Sequence, residues 1–332
     1  MPVANLDIGT FSKRTILTGA GWTRNWGGRL ANEVWQDLMS NAAVRENARI
    51  RDLLLRDPSF ESVLGFLQSE DPGDSQVFEH ALLDAFTAMD AEVARPGRQP
   101  WINIYKVQDL IFRFWGQRGD HVNAGYMFTL NQDLWPERNL YNEHAIGAAP
   151  ANLPGLQRRP NQRLFTTDLG RYGEAFVMQV PSDVAAAPPL RGAFNVIKLH
   201  GSFNWRTADG RNAMVVGTEK TAQIAVFPLL RLYWEVFRRV LTAGDVRLLV
   251  VGYGFGDEHV NEAIADAVEH HGLKVLVWDT AHDLMERVRK APRGAVIWEG
   301  LLSTATRPLI EVFPGDQAET AEYRRILSTM VL

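Results

Sequence analysis

The chain contains no cysteine among its 332 residues. That absence excludes disulfide bonds, zinc sites built from thiolates and cysteine nucleophiles. It also fits a reducing compartment, so we expect a cytoplasmic protein. No apolar run reaches the length of a membrane span, and the first residues lack the basic and apolar segments of a secretion signal. The sequence therefore predicts neither a membrane segment nor a leader.

A strong charge of either sign is lacking as well. The formal net charge is −4 at pH 7, so nothing predicts bulk attraction to nucleic acid or to an anionic membrane. The content of hydrophobic residues is 46% and that of charged residues 22%, as in ordinary well-packed globular proteins. Composition alone leaves an enzyme, a binding module and a structural subunit open.

Short apolar runs alternate with helical patterns along much of the chain. Strands are predicted at 15–17, 125–130, 194–199, 246–251, 274–278 and 295–298, a hairpin across 204–216, and helices near 229–243, 257–271, 281–290 and 318–330. Apolar strands that alternate with amphipathic helices favour a parallel sheet covered on both faces. We therefore predict an α/β fold with a doubly wound parallel sheet.

Residues 29–99 differ from the rest because apolar side chains recur there at helical spacing. Breaks are expected at Asp57-Pro58, at Asp71-Pro72-Gly73 and at Arg95-Pro96-Gly97. We predict three or four helices before the second strand, and an inserted helical domain at 29–99 within a sheet domain formed by 1–28 and 100–332. Residues 134–195 show little periodicity, which is typical of a binding loop or lid.

A glycine-rich turn follows the first predicted strand and reads Thr18-Gly19-Ala20-Gly21-Trp22-Thr23. A turn of small residues lets backbone approach a pyrophosphate closely, and amide groups at the next helix N-terminus favour its charge. Glycine turns after strands also occur for purely structural reasons. This turn alone therefore leaves both interpretations open.

Three more segments place polar or small residues where a predicted strand ends. They read Thr129-Leu130-Asn131-Gln132-Asp133, Lys198-Leu199-His200-Gly201-Ser202 and Val250-Val251-Gly252-Tyr253-Gly254-Phe255. Open parallel sheets bind ligands at the carboxyl ends of their strands. We expect the four segments to converge on one crevice.

The four motifs, in this order, resemble those of the sirtuin superfamily (silent information regulator 2-like proteins). The family hallmarks are Gly-Ala-Gly-x-Ser, Thr-Gln-Asn-x-Asp, His-Gly and Gly-x-Ser, and the resemblance covers roughly residues 15–280. It implies a Rossmann-like fold that binds NAD. Two departures stand out, because the four zinc-binding cysteines of deacylating sirtuins are absent and Gly28-Arg29-Leu30-Ala31 stands where Ile-Pro-Asp-Phe-Arg is expected.

The stretches 198–205 and 252–257 resemble the bacterial sirtuin-like branch of anti-phage defence, whose members hydrolyse NAD. The resemblance implies an NAD glycohydrolase that releases nicotinamide and ADP-ribose and depletes NAD during infection. It also implies regulation by a homo-oligomeric assembly or by a separate partner. A HerA-type ATPase is the first expectation and an Argonaute-like protein the second, and nucleic acid would be reached only through that partner.

Under this resemblance, Asn131 and His200 are the catalytic residues. Asn131 would orient the nicotinamide ribose and a water molecule. His200 would accept a proton from a ribose hydroxyl or from water, since the ordinary pKa of histidine lies near working pH. The alternatives are a turn-capping asparagine and a structural histidine, and we interpret the seven other histidines as structural.

The remaining predicted contacts are to NAD itself. Asp133 would accept the nicotinamide amide, or else cap a helix. Asp279, at the end of a strand, would reach a ribose hydroxyl by analogy with dinucleotide folds. The predicted NAD-binding set comprises Gly19, Ala20, Gly21, Thr23, Asp133, Gly252, Tyr253, Gly254 and Asp279.

Metal chemistry and three other functions were weighed against this prediction. Glu269, His270 and His271 are neighbours on a predicted helix and point apart, so no metal site is predicted. An NAD-dependent protein deacylase or ADP-ribosyltransferase, a non-catalytic sensor of NAD or ADP-ribose, and a structural subunit of a nucleic-acid machine stay open as alternatives.

Overall fold

The computed structural model describes residues 6–94, 102–115, 123–140, 153–163, 176–184, 190, 192–315 and 319–331. Its strands are β1 (Arg14–Thr18), β2 (Gly125–Thr129), β3 (Gln157–Arg163), β4 (Phe176–Gln179), β5 (Phe194–Lys198), β6 (Gly201–Arg206), β7 (Asn212–Met214), β8 (Arg247–Val251), β9 (Lys274–Trp278) and β10 (Leu301–Ala305). Its helices are α1 (Ala20–Thr23), α2 (Ala31–Ser40), α3 (Ala42–Glu46), α4 (Ala48–Arg56), α5 (Phe60–Glu70), α6 (Pro72–Val93), α7 (Ile104–Arg113), α8 (Trp135–Asn139), α9 (Lys220–Val226), α10 (Pro228–Leu241), α11 (Glu258–His271), α12 (Leu284–Lys290), α13 (Gly294–Glu299), α14 (Leu309–Val312) and α15 (Ala321–Val331). A 3-10 turn, Arg24–Trp26, follows α1.

Six strands form a central sheet in the order β10-β9-β8-β1-β2-β5, and every pairing in it is parallel. Counted along the chain, these six strands follow the doubly wound order in which the chain starts in the middle and proceeds first to one edge and then to the other. The reversal falls between β1 and β8, where ligands bind in such sheets. The predicted α/β fold of Rossmann-like type is confirmed.

Both faces of the sheet are buried, as the continuous apolar strands predict. Successive residues of a strand point to opposite faces. Ile16 of β1 accordingly belongs to one hydrophobic cluster and Leu17 to the other. The first cluster continues into the helices that precede β2, and the second is covered by α10 and α11.

Five helices, α2–α6, lie within 31–93, which we call the helical segment, and α7 follows before β2. This exceeds the predicted three or four. Two asparagines explain the difference, since Asn41 and Asn47 accept hydrogen bonds from Ala43 N and Ile50 N and so cap two further short helices. The breaks predicted near Pro58 and Pro72 are confirmed, whereas the one at 95–97 lies outside the described residues.

The helical segment shares its apolar interior with the sheet. Phe86 of α6 stacks on Phe203 of β6 with ring centroids 6.0 Å apart, and both belong to the cluster on the first face. The segment therefore packs on β6 and shares one hydrophobic cluster with the central sheet. Its boundaries as a domain, 29–99, stay a prediction.

Two predictions about local structure need correction. Residues 295–298 lie in α13 rather than in a strand, and the last strand is β10. A short apolar run does not distinguish a buried strand from a buried helix turn. The stretch 134–195 holds α8, β3 and β4, and the two strands join the predicted hairpin, here β6 and β7, in a second sheet of order β3-β4-β6-β7.

Within the described ranges, none of the helices has the combination of length and apolar character that a bilayer crossing requires.

Candidate functional site

A cavity of about 660 Å³ opens at the carboxyl ends of the central strands. Its lining includes every residue that the sequence analysis singled out, from the glycine turn, the three other strand ends and the end of β9: Gly19, Ala20, Gly21, Thr23, Asn131, Asp133, His200, Gly252, Tyr253, Gly254 and Asp279. The expected convergence on one crevice is therefore observed. The roles assigned to these residues stay predictions.

The glycine turn packs directly against the turn that follows β8. The Gly19 amide donates to Val251 O at 3.0 Å and the Gly21 amide to Gly252 O at 2.9 Å. A Cβ atom on Gly19 would lie 2.6 Å from Gly252 O, closer than any real contact. Glycine is therefore required here by the neighbouring backbone.

This packing determines which amides of the turn could reach a pyrophosphate. The amides of Gly19 and Gly21 already donate to protein carbonyls, so neither is available to a phosphate group. Among the described residues, no acceptor is assigned to the amide of Ala20, the first residue of α1. Of the amides of Gly19, Ala20 and Gly21, that of Ala20 is left for a phosphate group, and the NAD-binding role of these residues stays a prediction.

Gly252 is the second glycine that the site needs. Its φ is +63°, in the left-handed region, and a Cβ atom there would lie 2.3 Å from Trp22 N. Any side chain would push the two turns apart. Because these turns flank the switch point between β1 and β8, Gly252 is needed to form the floor of the cavity.

Asn131 is held in a defined orientation by the glycine turn. Its Nδ2 donates to Gly19 O at 2.9 Å and to Thr23 Oγ1 at 3.2 Å. Within the described part of the chain, no group donates to its Oδ1. The side chain thus lines the cavity with its amide plane fixed and its oxygen free to accept.

Thr23 connects Asn131 to the buried carboxyl of Asp133. The Thr23 hydroxyl also acts on Asp133, where it helps to lower the pKa of the carboxyl. Burial raises the pKa of Asp133 from 3.8 to about 6, while the Lys198 ammonium partly opposes that rise. Asp133 Oδ1 accepts from Trp135 N at 2.9 Å, which closes an Asx turn just before α8, whose N-cap residue is Leu134 and not Asp133.

A fully buried lysine lies beneath this carboxyl. Lys198 Nζ donates to Glu137 Oε1 at 2.9 Å and to Ser202 Oγ at 2.7 Å, which fulfils the need of a buried cation for paired acceptors. In the sequence, Lys198 stands out only as a neighbour of His200 in the motif, and nothing there indicates its contacts with Glu137 and Ser202. Its position shows that it supports the Asp133 loop from below.

His200 enters the cavity at the end of β5 and is 2% exposed. The glycine after it has φ +70°, and a Cβ there would lie 1.9 Å from Ala213 O, which explains the His-Gly pair. Burial lowers the pKa of His200 to about 3. The imidazole is therefore neutral at working pH, as a base must be before it accepts a proton.

The tautomer of His200 follows from its two neighbours. Its Nε2 faces His259 Nε2 at 3.0 Å, and the Leu130 carbonyl acts on the ring as an acceptor. With Nε2 turned to His259, the nitrogen left for the Leu130 carbonyl is Nδ1. A proton on Nδ1 leaves Nε2 as the basic nitrogen.

His259 lies at the site, although the sequence did not indicate that it is more than a structural histidine. We had interpreted it as structural, but it lies in the first turn of α11 against His200, with its ring 4.8 Å from that of Trp234. Burial lowers its pKa too. The available signal was its place two residues after Asp257 in the fourth motif, at a helix start that faces the sheet edge.

Asp257, Lys220 and Glu61 form an ion-pair chain beside the two histidines. Lys220 Nζ lies 2.7 Å from Asp257 Oδ1 and 2.9 Å from Glu61 Oε2. Burial acts to raise the pKa of Asp257, but His200 and the Lys220 ammonium outweigh it and the pKa is lowered. Since His200 is neutral at working pH, the positive charge that lowers the pKa of Asp257 is that of Lys220.

The adenosine end predicted for the cavity has its own ion pair. Asp279 accepts from Ala281 N at 2.8 Å and lies 3.4 Å from Arg287 Nη2. Arg287 also lines the cavity and was missed, because it lies mid-helix with no motif around it. The Tyr253 hydroxyl lies 3.1 Å from Asn261 Oδ1, so it supports the turn from inside.

One group of side chains in the described residues could hold a cation. The ligating atoms of His200, Asp257 and His259 all lie within 4.8 Å of one another. Two imidazoles and a carboxylate suit a transition metal rather than magnesium or calcium. The prediction that the site uses no metal is not tested by this geometry.

The family model of a SIR2-like domain matches residues 159–291. The matched stretch contains His200-Gly201 and the Gly252–Gly254 turn, while the glycine turn after β1 and Asn131 lie before it. A comparison with curated proteins finds no match. The match supports a sirtuin-like family for this chain and, since SIR2-like domains are in general NAD-dependent enzymes, an activity related to NAD.

Proposed function

We propose that this chain is an NAD glycohydrolase that cleaves NAD to nicotinamide and ADP-ribose. The observation that carries the proposal is the meeting of Asn131 and His200 in one cavity at the switch point of a doubly wound sheet. The cavity volume of about 660 Å³ lies in the range of small-molecule sites.

The reaction breaks the bond between the nicotinamide nitrogen and C1′ of the ribose. The bonding electrons leave with nicotinamide, positive charge develops on the ribose, and a water oxygen adds to C1′ while one proton is released. The protein needs to hold the ribose, position the water and exclude bulk solvent.

Each of these tasks has a candidate group. The free Oδ1 of Asn131 would accept from the water or from a ribose hydroxyl, and His200 Nε2 would take the proton. Asp133, with its raised pKa, carries an oxygen that could accept the nicotinamide amide. Apolar side chains of the helical segment, including Phe60 and Met89, would exclude solvent from the opposite wall.

The biological setting is proposed on the sequence resemblance. NAD would be depleted during phage infection, and the chain would be quiet until a partner such as a HerA-type ATPase, or self-assembly, activates it. Uncontrolled loss of NAD would kill the host, which supports such regulation. Full activity of the isolated monomer would contradict it.

One observation favours a second candidate function, the non-catalytic sensor of NAD or ADP-ribose. In this conformation the basic nitrogen of His200 is covered by His259 at 3.0 Å. A site that never uncovers this nitrogen would bind NAD without turning it over.

The test is nicotinamide release from NAD, followed by chromatography, with and without the candidate partner. We expect release by the wild type and a loss of about 100-fold or more in His200→Ala and Asn131→Ala. His270→Ala is the matched control, since His270 is exposed at the far end of α11. Binding of NAD without release in any condition would instead establish the sensor.

A further inference from the structure

The pairing of His200 and His259 leaves an unusual arrangement of lone pairs. The two rings turn Nε2 toward each other, with 3.0 Å between the two nitrogens and 5.3 Å between the ring centroids, and the Asp257 carboxylate lies beside them. Two neutral imidazoles that face each other can share only one Nε2 proton. The nitrogen without the proton then accepts from the other.

We propose that His200, His259 and Asp257 form a binding site for a divalent transition cation of the zinc type, and that its occupancy silences the chain. Imidazole nitrogen and carboxylate oxygen are the ligands that such cations take in three-ligand sites with an open position. The binding does not depend on the proposed function. The silencing rests on it.

Geometry supports the assignment. Zinc binds imidazole nitrogen at about 2.0–2.1 Å, which places two tetrahedral nitrogen ligands about 3.3 Å apart. The nitrogens lie 3.0 Å apart and face each other head on, so a metal would require them to separate by a few tenths of an ångström and each ring to turn its lone pair toward the cation. All three ligating atoms already lie within 4.8 Å of one another.

Protonation and support around the ligands fit as well. Metal-bound histidines donate their second ring N–H to a carbonyl or a carboxylate, and His200 has the Leu130 carbonyl for this purpose. His259 would need only to move its proton from Nε2 to Nδ1.

Lys220 is the feature that opposes a cation here. Its ammonium lies 2.7 Å from Asp257 Oδ1, but it is also paired with Glu61, so two carboxylates face one lysine. A carboxylate has two oxygens, so Lys220 can keep Oδ1 while Oδ2 turns to the metal. The cluster can therefore accept a cation without losing the ion pair.

The functional consequence follows from the tautomer. Nε2 is the basic nitrogen of His200 in the tautomer that directs its Nδ1 proton at Leu130. A metal on Nε2 occupies the lone pair that the reaction needs. The metal ion and the proton that the reaction releases therefore compete for His200 Nε2.

The experiment titrates the full chain, freed of metal and of any affinity tag, with Co²⁺ and follows its visible absorption, then displaces Co²⁺ with Zn²⁺. We expect one equivalent to bind to the wild type and affinity to fall about tenfold or more in His259→Gln and in Asp257→Asn. His270→Gln, on the exposed side of the same helix, should bind like the wild type. Circular dichroism would verify that each variant is folded.

The outcomes separate this proposal from the proposed function. A site that binds Co²⁺ in a chain that never releases nicotinamide supports the metal site and contradicts the glycohydrolase. No binding at micromolar Co²⁺, or equal binding by the wild type and His259→Gln, would overturn the site and leave adventitious surface binding only. Nicotinamide release that continues unchanged at full occupancy would overturn the silencing.

Discussion

The two walls of the cavity are built in different ways. The wall at the sheet edge consists of strand ends and glycine turns, and backbone contacts such as Gly21 N to Gly252 O shape it. The opposite wall comes from the helical segment and consists of side chains, such as Val34, Phe86 and Met89, that no motif marks. The sheet edge thus carries most of the polar groups, and the helical segment adds apolar cover and one carboxylate, Glu61.

Two ion pairs connect these walls, and their surroundings differ. Asp90 of α6 forms a bidentate pair with Arg138 of α8, where the side chains are 1% and 3% exposed. Glu61 of α5 pairs with Lys220, which lines the cavity and contacts Asp257. The first connection is sealed inside the protein, whereas the second opens onto the site. The first should therefore govern stability and the second activity.

The largest effect is expected at the sealed pair. Asp90→Asn leaves the buried Arg138 guanidinium without a counter-charge, so the free energy of unfolding should fall by about 3–5 kcal/mol. Urea denaturation measures the change.

The controls for this prediction separate charge burial from packing. Glu286→Gln breaks an exposed pair with Lys290, whose side chains are 63% and 75% exposed, and should cost less than about 1 kcal/mol. Replacing both partners, Asp90→Leu with Arg138→Met, should recover most of the loss because no unpaired charge remains. A double variant as unstable as Asp90→Asn would contradict this account.

The sheet-edge wall could be predicted from the sequence because its signals are local. A glycine turn, an asparagine or a histidine at the end of an apolar run indicates a position at the carboxyl end of a strand. The parallel topology then brings these strand ends together. The packing of the Gly19 turn on Gly252 could not be predicted, since it joins residues far apart in the chain. The hydrogen bonds that the Gly19 and Gly21 amides donate to the residues at the end of β8 were therefore visible only in the structure.

The other wall could not be predicted for a related reason. Amphipathic helices reveal that a face is buried but not what it is buried against. Glu61, Lys220 and Arg287 come from three elements with no motif, and His259 resembled six other histidines until α11 placed it against His200. Chemistry that depends on tertiary convergence of ordinary residues leaves little trace in one sequence.

The second prediction concerns how the buried carboxyl of Asp133 affects the free energy of unfolding. Burial raises the pKa of Asp133 to about 6, so its neutral form favours folding below pH 4 and this contribution is lost as pH rises through 6. At pH 7 the ionised group costs about 3 kcal/mol at most. Asp133→Asn should therefore raise the free energy of unfolding at pH 7 and flatten its decline between pH 4 and 6.

The same variant should weaken NAD binding if Asp133 accepts the nicotinamide amide. Asparagine keeps an oxygen for Trp135 N but turns part of the acceptor into a donor. Urea denaturation across pH and calorimetric NAD titration provide the two measurements, with the exposed Asp209→Asn as the control. A stabilised variant that binds NAD as the wild type does would make Asp133 a purely structural residue.

The smallest effect on stability is expected at the open connection, where Glu61→Gln removes one carboxylate from Lys220. Burial raises the pKa of Glu61, so its charge is costly, and the pairing with Lys220 offsets that cost. The free energy of unfolding at pH 7 should change by less than about 1 kcal/mol. The positive charge of Lys220, which lowers the pKa of His200, would then be less compensated.

Glu61→Gln should therefore weaken His200 as a base and slow nicotinamide release severalfold, while Asp90→Asn, assayed under conditions where it is folded, should not. Lys220→Gln is the opposing variant, because it removes the ammonium and should shift the pKa of His200 upward. Release measured against pH in the three variants decides the comparison. If Glu61→Gln destabilised the fold as much as Asp90→Asn and left release unchanged, the two connections would serve the same structural purpose, and the helical segment would act on the site only as a cover.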